Sequence, residues 1–181
     1  MKKNVFVFGA LAGLIVSIFM VCSIALCYGK EQFEGNVVIG YAAMIIAFSF
    51  IFIGIRNYRN KYNGGVISFG KAFRVGLYIT LIASTIYVLV WLVDYYVFIP
   101  DFMDKYTTHI IKAAEKSGVS QVELNKKVEE MTVYQKMYKN PLFVILLTYV
   151  EILPVGLVVT LISALLLKKK HKDRETILSN A

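Results

Sequence analysis

Apolar residues gather in four long runs, at 5–28, 37–55, 75–99 and 142–167, and polar residues cluster between them. An α-helix rises about 1.5 Å per residue, so each run can cross a hydrocarbon core of roughly 30 Å. The pattern predicts four transmembrane helices. The first run carries no charge. It is longer than the apolar core of a signal peptide, roughly 7–15 residues, and no small-x-small site follows it, so it reads as an uncleaved helix. Leu26 before Cys27 also departs from a lipoprotein box. Gly9, Gly13 and Ser17 recur every four residues, as do Gly76, Thr80 and Ser84 in the third run. Such stripes allow close helix approach, and for the first the plainer reading is packing within one bundle rather than a dimer contact.

The joints between the runs differ in kind. Residues 29–36 form a short polar turn with Lys30, Glu31 and Glu34, which makes the second helix antiparallel to the first. Residues 54–76, GIRNYRNKYNGGVISFGKAFRVG, form an elbow with five basic residues (Arg56, Arg59, Lys61, Lys71, Arg74) and no acid. Gly54 and Arg56 are expected to end the second span. Gly64-Gly65 then breaks helix, and Ser68 is placed to cap a helix starting near Phe69. Phe69 and Phe73 share a face, which predicts a first turn at headgroup depth with rings inserted and Lys71 and Arg74 reaching toward phosphate. Trp91, Tyr95 and Tyr96 mark the far interface, Asp94 lies at that exit, and Pro100 ends the helix.

Residues 101–140 are the only sizeable polar segment. Phe102, Tyr106, Ile110 and Ala113 recur at helical spacing, and Ser117-Gly118 stops that helix. Ser120 and Glu123 form a capping box. Leu124, Val128, Met131 and Met137 or Tyr138 continue as a narrow apolar stripe, until Asn140-Pro141 breaks the chain. This predicts a helical hairpin outside the membrane, resting on the bundle or on a partner.

Composition agrees with the pattern. An apolar fraction of 57% and a mean hydropathy of +0.62 exceed those of ordinary soluble domains, which run at roughly 45–50% apolar. The net charge of +8 suggests nucleic acid, but the basic residues gather at the ends of the runs, where orientation in a bilayer is set. Two precede the first run, one follows it, five lie in the elbow and five in residues 168–174. The seven lysines of the hairpin are offset by acids and weaken the contrast. Short loops weigh most, so the N-terminus, elbow and tail are expected in the cytoplasm and the hairpin outside. The expected fold class is an all-α membrane protein, a single domain over 1–181, with four transmembrane helices and an extracytoplasmic hairpin between the third and fourth.

Candidate chemistry is sparse. Cys22 and Cys27, five residues apart on one helix, point to different faces and cannot bridge. His109 and His171 lie in unlike segments, so no metal-ligand set and no cofactor are expected. Gly65 to Ala72 matches the phosphate-binding loop except at its last position, where Ala72 replaces the Mg²⁺-ligating hydroxyl. No strand precedes it, so the match reads as chance. Glu151 is the sharpest candidate, roughly 13 Å inward from Leu142 with no cationic residue at that depth. It is expected to be protonated, or hydrogen-bonded to Ser17, Ser49, Ser84 or Tyr87. Pro154 frees the Val150 carbonyl, and with Glu151 it forms a candidate polar notch for protons or a cation. The plainer reading is a neutral Glu tying helices at a kink. The elbow cations Arg56, Arg59, Lys61, Lys71 and Arg74 are candidate contacts for anionic lipid headgroups, against the simpler role of fixing topology. No nucleophile–base pair appears, so an enzyme is not expected.

Taken together, the GG-x-ISFGKAF elbow, the exit with Trp91, the segment KSGVSQVELNKKVEEM and the closing NPLF…E-x-x-PVGL stretch resemble the bacterial membrane family known as domain of unknown function 4199. The resemblance covers nearly the whole chain. It implies a bacterial integral membrane protein of about four helices and brings no activity, cofactor or site residue. Two functions are therefore expected, both in the bacterial inner (cytoplasmic) membrane. One is a non-enzymatic accessory or scaffold protein binding a partner protein, another copy of the chain, or lipid. The alternative is a small transporter or channel subunit using Glu151. A dry, closed core around a neutral Glu151 favours the first, and a water-filled cavity reaching Glu151 from either side favours the second.

Overall fold

A computed structural model describes residues 1–28 and 37–169. The turn expected at 29–36 and most of the basic tail lie outside the described residues. Six helices follow in order: α1 (Lys2–Tyr28), α2 (Val37–Asn57), α3 (Phe69–Val93), α4 (Phe102–Lys116), α5 (Gln121–Tyr138) and α6 (Pro141–Leu167). Four of them are long and apolar enough to cross a membrane. Large apolar side chains such as Phe6, Ile18, Ile46, Leu146 and Leu166 cover their outward faces. Apolar outward faces of this kind suit the hydrocarbon core of a bilayer. The chain is an all-helical protein with four candidate membrane spans, as its hydropathy pattern predicts.

The bundle is a square in which α3 packs against α1 and α6, and α2 packs against the same two from the opposite corner. The small-residue stripes define these seams. A Cβ on Gly9 would lie 2.8 Å from Ile82 Cβ, and one on Gly13 would lie 2.9 Å from Ile86 Cβ. The first stripe is thus the α1–α3 contact, within one chain. The second stripe faces α6: Gly76 meets Thr160, and Thr80 meets Gly156 and Thr160. Phe48, Ile51, Ile79 and Ile152 fill the space between, fully buried.

The second span runs past its expected end. Gly54 and Arg56 do not terminate α2, which continues through Asn57 into a wide π-helical turn over Tyr58–Tyr62. Gly54 is instead a packing position, where a Cβ would lie 2.6 Å from Ile79 Cδ1 and 3.1 Å from Phe8 Cβ. A helix that gains such contacts tolerates a glycine that would otherwise weaken it. Asn4 fixes the same corner: its Nδ2 donates to the Gly54 carbonyl at 3.0 Å, and Asn57 Nδ2 donates to Asn4 Oδ1 at 2.6 Å. The third span likewise ends in a π-helical turn over Asp94–Phe98, closed by the Ile99 N–H donating to the Asp94 carbonyl at 2.9 Å.

The local signals of the elbow and hairpin are realised. Ser68 caps α3 by accepting from the Lys71 N–H. Gly64 and Gly65 have φ of 62° and 81°, and Gly118 has 70°, the left-handed region that glycine enters without a Cβ penalty. Both halves of the Ser120–Glu123 capping box are present. α4 and α5 pair as a hairpin and fold back over one end of the bundle. There Trp91, Tyr95, Ile99, Met103 and Val144 form a second apolar cluster. Gln135 Nε2 donates to Asp104 Oδ1 at 3.1 Å across the hairpin, and Tyr96 Oη donates to the Tyr138 carbonyl at 3.1 Å.

Candidate functional site

Between the hairpin and the bundle lies a cavity of about 530 Å³. Five helices supply its walls: α1 at Met20 and Ile24, α3 at Tyr87 and Trp91, α4 at Tyr106, α5 at Met131, Tyr134 and Tyr138, and α6 at Leu147, Thr148 and Glu151. The elements position these groups for ordinary reasons. Tyr87 and Trp91 are one turn apart on the inward face of α3. Thr148 and Glu151 are three residues apart on α6 and so share a face. Thr148 is buried, its hydroxyl donating to the Val144 carbonyl at 2.7 Å. Tyr138 is held by rings on two sides, with centroids 5.5 Å from Tyr95 and 5.9 Å from Phe143. Trp91 meets Phe102 edge-on at 5.3 Å, an arrangement favoured by ring quadrupoles.

Among the described residues Glu151 is the only charged side chain on this wall. It is exposed to the cavity rather than buried in the core. It has no hydrogen-bond or ion-pair partner among the described residues. Of its expected hydroxyl partners, Tyr87 shares the cavity with it. Ser49 donates instead to the Ile46 carbonyl at 2.7 Å, and the Ser17 and Ser84 hydroxyls are buried without a partner among the described residues. Pro154, three residues on, is exposed and does not line the cavity; α6 runs through it as unbroken helix. The Tyr138 phenol, at the end of α5, is pushed up to about 12 from its ordinary value near 10, by burial first and then by the charge of Glu151.

The cavity ends on a packed layer. Phe48, Thr80, Ile152, Gly156 and Thr160 fill the bundle on the elbow side of Glu151, and none of them lines the cavity.

The elbow cations divide into two groups. The Arg59 guanidinium donates to the Leu167 carbonyl at 3.1 Å, at the C-terminus of α6. Lys71 donates to Asn63 Oδ1 and lies 5.6 Å from the centre of the Tyr58 ring. An isolated antiparallel bridge between Ile67 and Lys169 fastens the elbow to the end of α6. Arg56, Lys61 and Arg74 are exposed. In the Gly65–Ala72 segment the lysine is thus turned to Asn63 and Tyr58, not to a phosphate cradle. Among the described residues no group of His, Cys, Asp and Glu is arranged to hold a metal ion.

Sequence reasoning missed the aromatic walls. Trp91 reads as an interface marker, and Tyr106 and Tyr138 read as members of contact stripes. Asp94 reads as a residue at the exit of the third span; it is buried there, with Oδ2 unpartnered among the described residues.

No curated protein and no solved structure matches the chain. A family profile matches residues 7–169, from the first turns of α1 to the residue that bridges to the elbow. The chain belongs to the protein family of unknown function DUF4199.

Proposed function

We propose that this multi-pass membrane protein binds a lipid-like amphipathic molecule in the cavity beneath its hairpin. The observation that carries this reading is the aromatic cavity of about 530 Å³ that reaches an unpaired carboxylate. A structural Glu tying two helices would be engaged by one of them, and Glu151 is not. The volume falls in the range of roughly 300–1,000 Å³ typical of small-molecule sites. The protein is a non-enzymatic accessory protein of the bacterial cytoplasmic membrane in this reading, with its termini and elbow in the cytoplasm. The distribution of basic residues supports that orientation. Arg56, Lys61 and Arg74 then face anionic headgroups, each contributing about 1 kcal/mol.

The same cavity is the feature expected of the alternative, a small transporter subunit, because a cavity that reaches Glu151 supplies one half of an access path. The packed layer below Glu151 favours binding over conduction in this conformation.

A photoreactive phospholipid with a diazirine in its acyl chain, added to membranes holding the full chain, tests the binding reading. Cross-links are expected at Met20, Tyr134 and Leu147 and are expected to be lost in Leu147→Trp, which fills the cavity. Adducts confined to outward residues such as Leu146 and Leu166 overturn it.

A further inference from the structure

Among the described residues Glu151 is the one charge on a wall to which six aromatic residues contribute. Tyr87, Trp91, Tyr106, Tyr134 and Tyr138 present aromatic surface around it, and among the described residues no Lys, Arg or His lines the same space. The hairpin lysine Lys105 is engaged elsewhere: its ammonium lies 3.0 Å from Asp101 Oδ2 and 3.7 Å from the centre of the Tyr28 ring. A carboxylate in a low-dielectric pocket is costly unless it is neutralised or paired. Ring faces carry negative quadrupole potential, so the walls disfavour an anion and favour a cation. Both features select the same partner. A metal ion needs several oxygen ligands, and among the described residues Glu151 is the only carboxylate here. A weakly hydrated organic cation needs ring faces and one counter-charge, and the cavity supplies both.

We propose that the cavity is an organic-ammonium site, with Glu151 as counter-ion and the surrounding tyrosines and Trp91 as an aromatic cage. It rests on the binding reading above and names the chemistry of the head that enters. The ammonium is either a lipid headgroup or a free solute.

Trp91 is the sole tryptophan of the chain and lines the cavity, so its fluorescence reports occupancy directly. Purified full-length protein in phosphatidylglycerol nanodiscs is titrated with choline and with 3,3-dimethylbutanol, its neutral carbon isostere. Choline is expected to change Trp91 emission saturably, and the isostere to bind at least ten-fold more weakly. Glu151→Gln is expected to weaken choline binding roughly ten-fold, and Glu151→Asp to restore part of it, as for a desolvated charge pair. Tyr134→Leu is expected to weaken binding several-fold while Tyr134→Phe, which keeps the ring face, does not. In phosphatidylcholine nanodiscs, loss of the choline response identifies the headgroup as the source, and an unchanged response identifies a free solute. Equal binding of choline and its isostere, or of choline to wild type and Glu151→Gln, overturns the ammonium site and leaves a ligand cavity standing. No saturable response to choline in phosphatidylglycerol nanodiscs also overturns it, and the acyl-chain cross-links then decide separately whether the cavity binds lipid.

Discussion

Thr80 and Thr160 share a hydrogen bond of 2.9 Å at the seam of α3 and α6, with both residues fully buried. The Thr80 hydroxyl also lies 3.3 Å from the Gly156 carbonyl as its donor, so its single proton goes there and Thr160 donates to Thr80. Thr80→Val removes this relay at nearly constant volume. Interhelical hydrogen bonds of this kind contribute about 0.6 kcal/mol on average and up to about 1.7. A loss in that range is expected in denaturant titrations in mixed micelles. Gly156→Ala is expected to cost more, about 1–3 kcal/mol, because its new methyl would overlap Thr80 Cγ2. Thr80→Ser removes that methyl and keeps the hydroxyl. The double variant Thr80→Ser/Gly156→Ala is therefore expected to recover part of the loss; strict additivity would show that the overlap is not the cause.

The elbow is fastened at one cation. Arg59 reaches the last carbonyl of α6, where a positive charge also meets the negative end of the helix dipole. Arg59→Ala is expected to destabilise by about 1 kcal/mol and to raise amide exchange at Ile67, whose N–H donates to the Lys169 carbonyl at 3.0 Å. Arg56→Ala, at an exposed position, is expected to leave both unchanged. Binding to anionic vesicles is expected to show the opposite ranking, falling with Arg56, Lys61 and Arg74. Equal effects of all these changes on exchange at Ile67 would remove the distinction between fastening and surface cations.

Topology is tested by labelling. In a Cys22→Ser/Cys27→Ser background, Lys126→Cys on the hairpin is expected to react with an impermeant maleimide added outside intact cells. Lys61→Cys on the elbow is expected to react only after permeabilisation. The reverse pattern would invert the whole bundle, and would put the cavity of Glu151 on the cytoplasmic side.

The elements were legible because hydropathy and capping are properties of one short stretch at a time. Ser68, Ser120 with Glu123, and Gly118 act on backbone groups within a few residues, and each is found in its expected role. The stripes through Gly9 and Gly76 showed which faces pack closely, but not against which helix. Gly54 was misread as a stop because its value depends on Phe8 and Ile79, which lie far away in sequence. The cavity was invisible for the same reason. Its walls come from five helices, and Trp91 or Tyr138 taken singly is indistinguishable from an interface ring. Glu151 was legible as a costly charge; that it faces a cavity depends on how the hairpin folds back.

Tyr138 links that fold-back to pH. Its phenol is held at about 12 in the folded protein, against 10.0 for the unperturbed group, chiefly because burial disfavours the phenolate and secondarily because Glu151 is near. Between those two values the unfolded chain has lost the proton and the folded chain keeps it. Stability then falls with rising pH, with a slope of at most about 1.4 kcal/mol per unit from this one group. The contribution is intact below pH 10 and is lost by about pH 12, where both states are ionised. Tyr138→Phe keeps the ring contacts with Tyr95 and Phe143 and removes the ionisation. Thermal unfolding of wild type and variant in neutral detergent is expected to run parallel at pH 7–9. Above pH 10 the wild type is expected to lose stability faster. The other tyrosines titrate in both proteins and cancel in the difference. A constant difference from pH 8 to 12 would show that the Tyr138 ring is in contact with solvent in the folded state, and that the hairpin does not stay docked over the cavity.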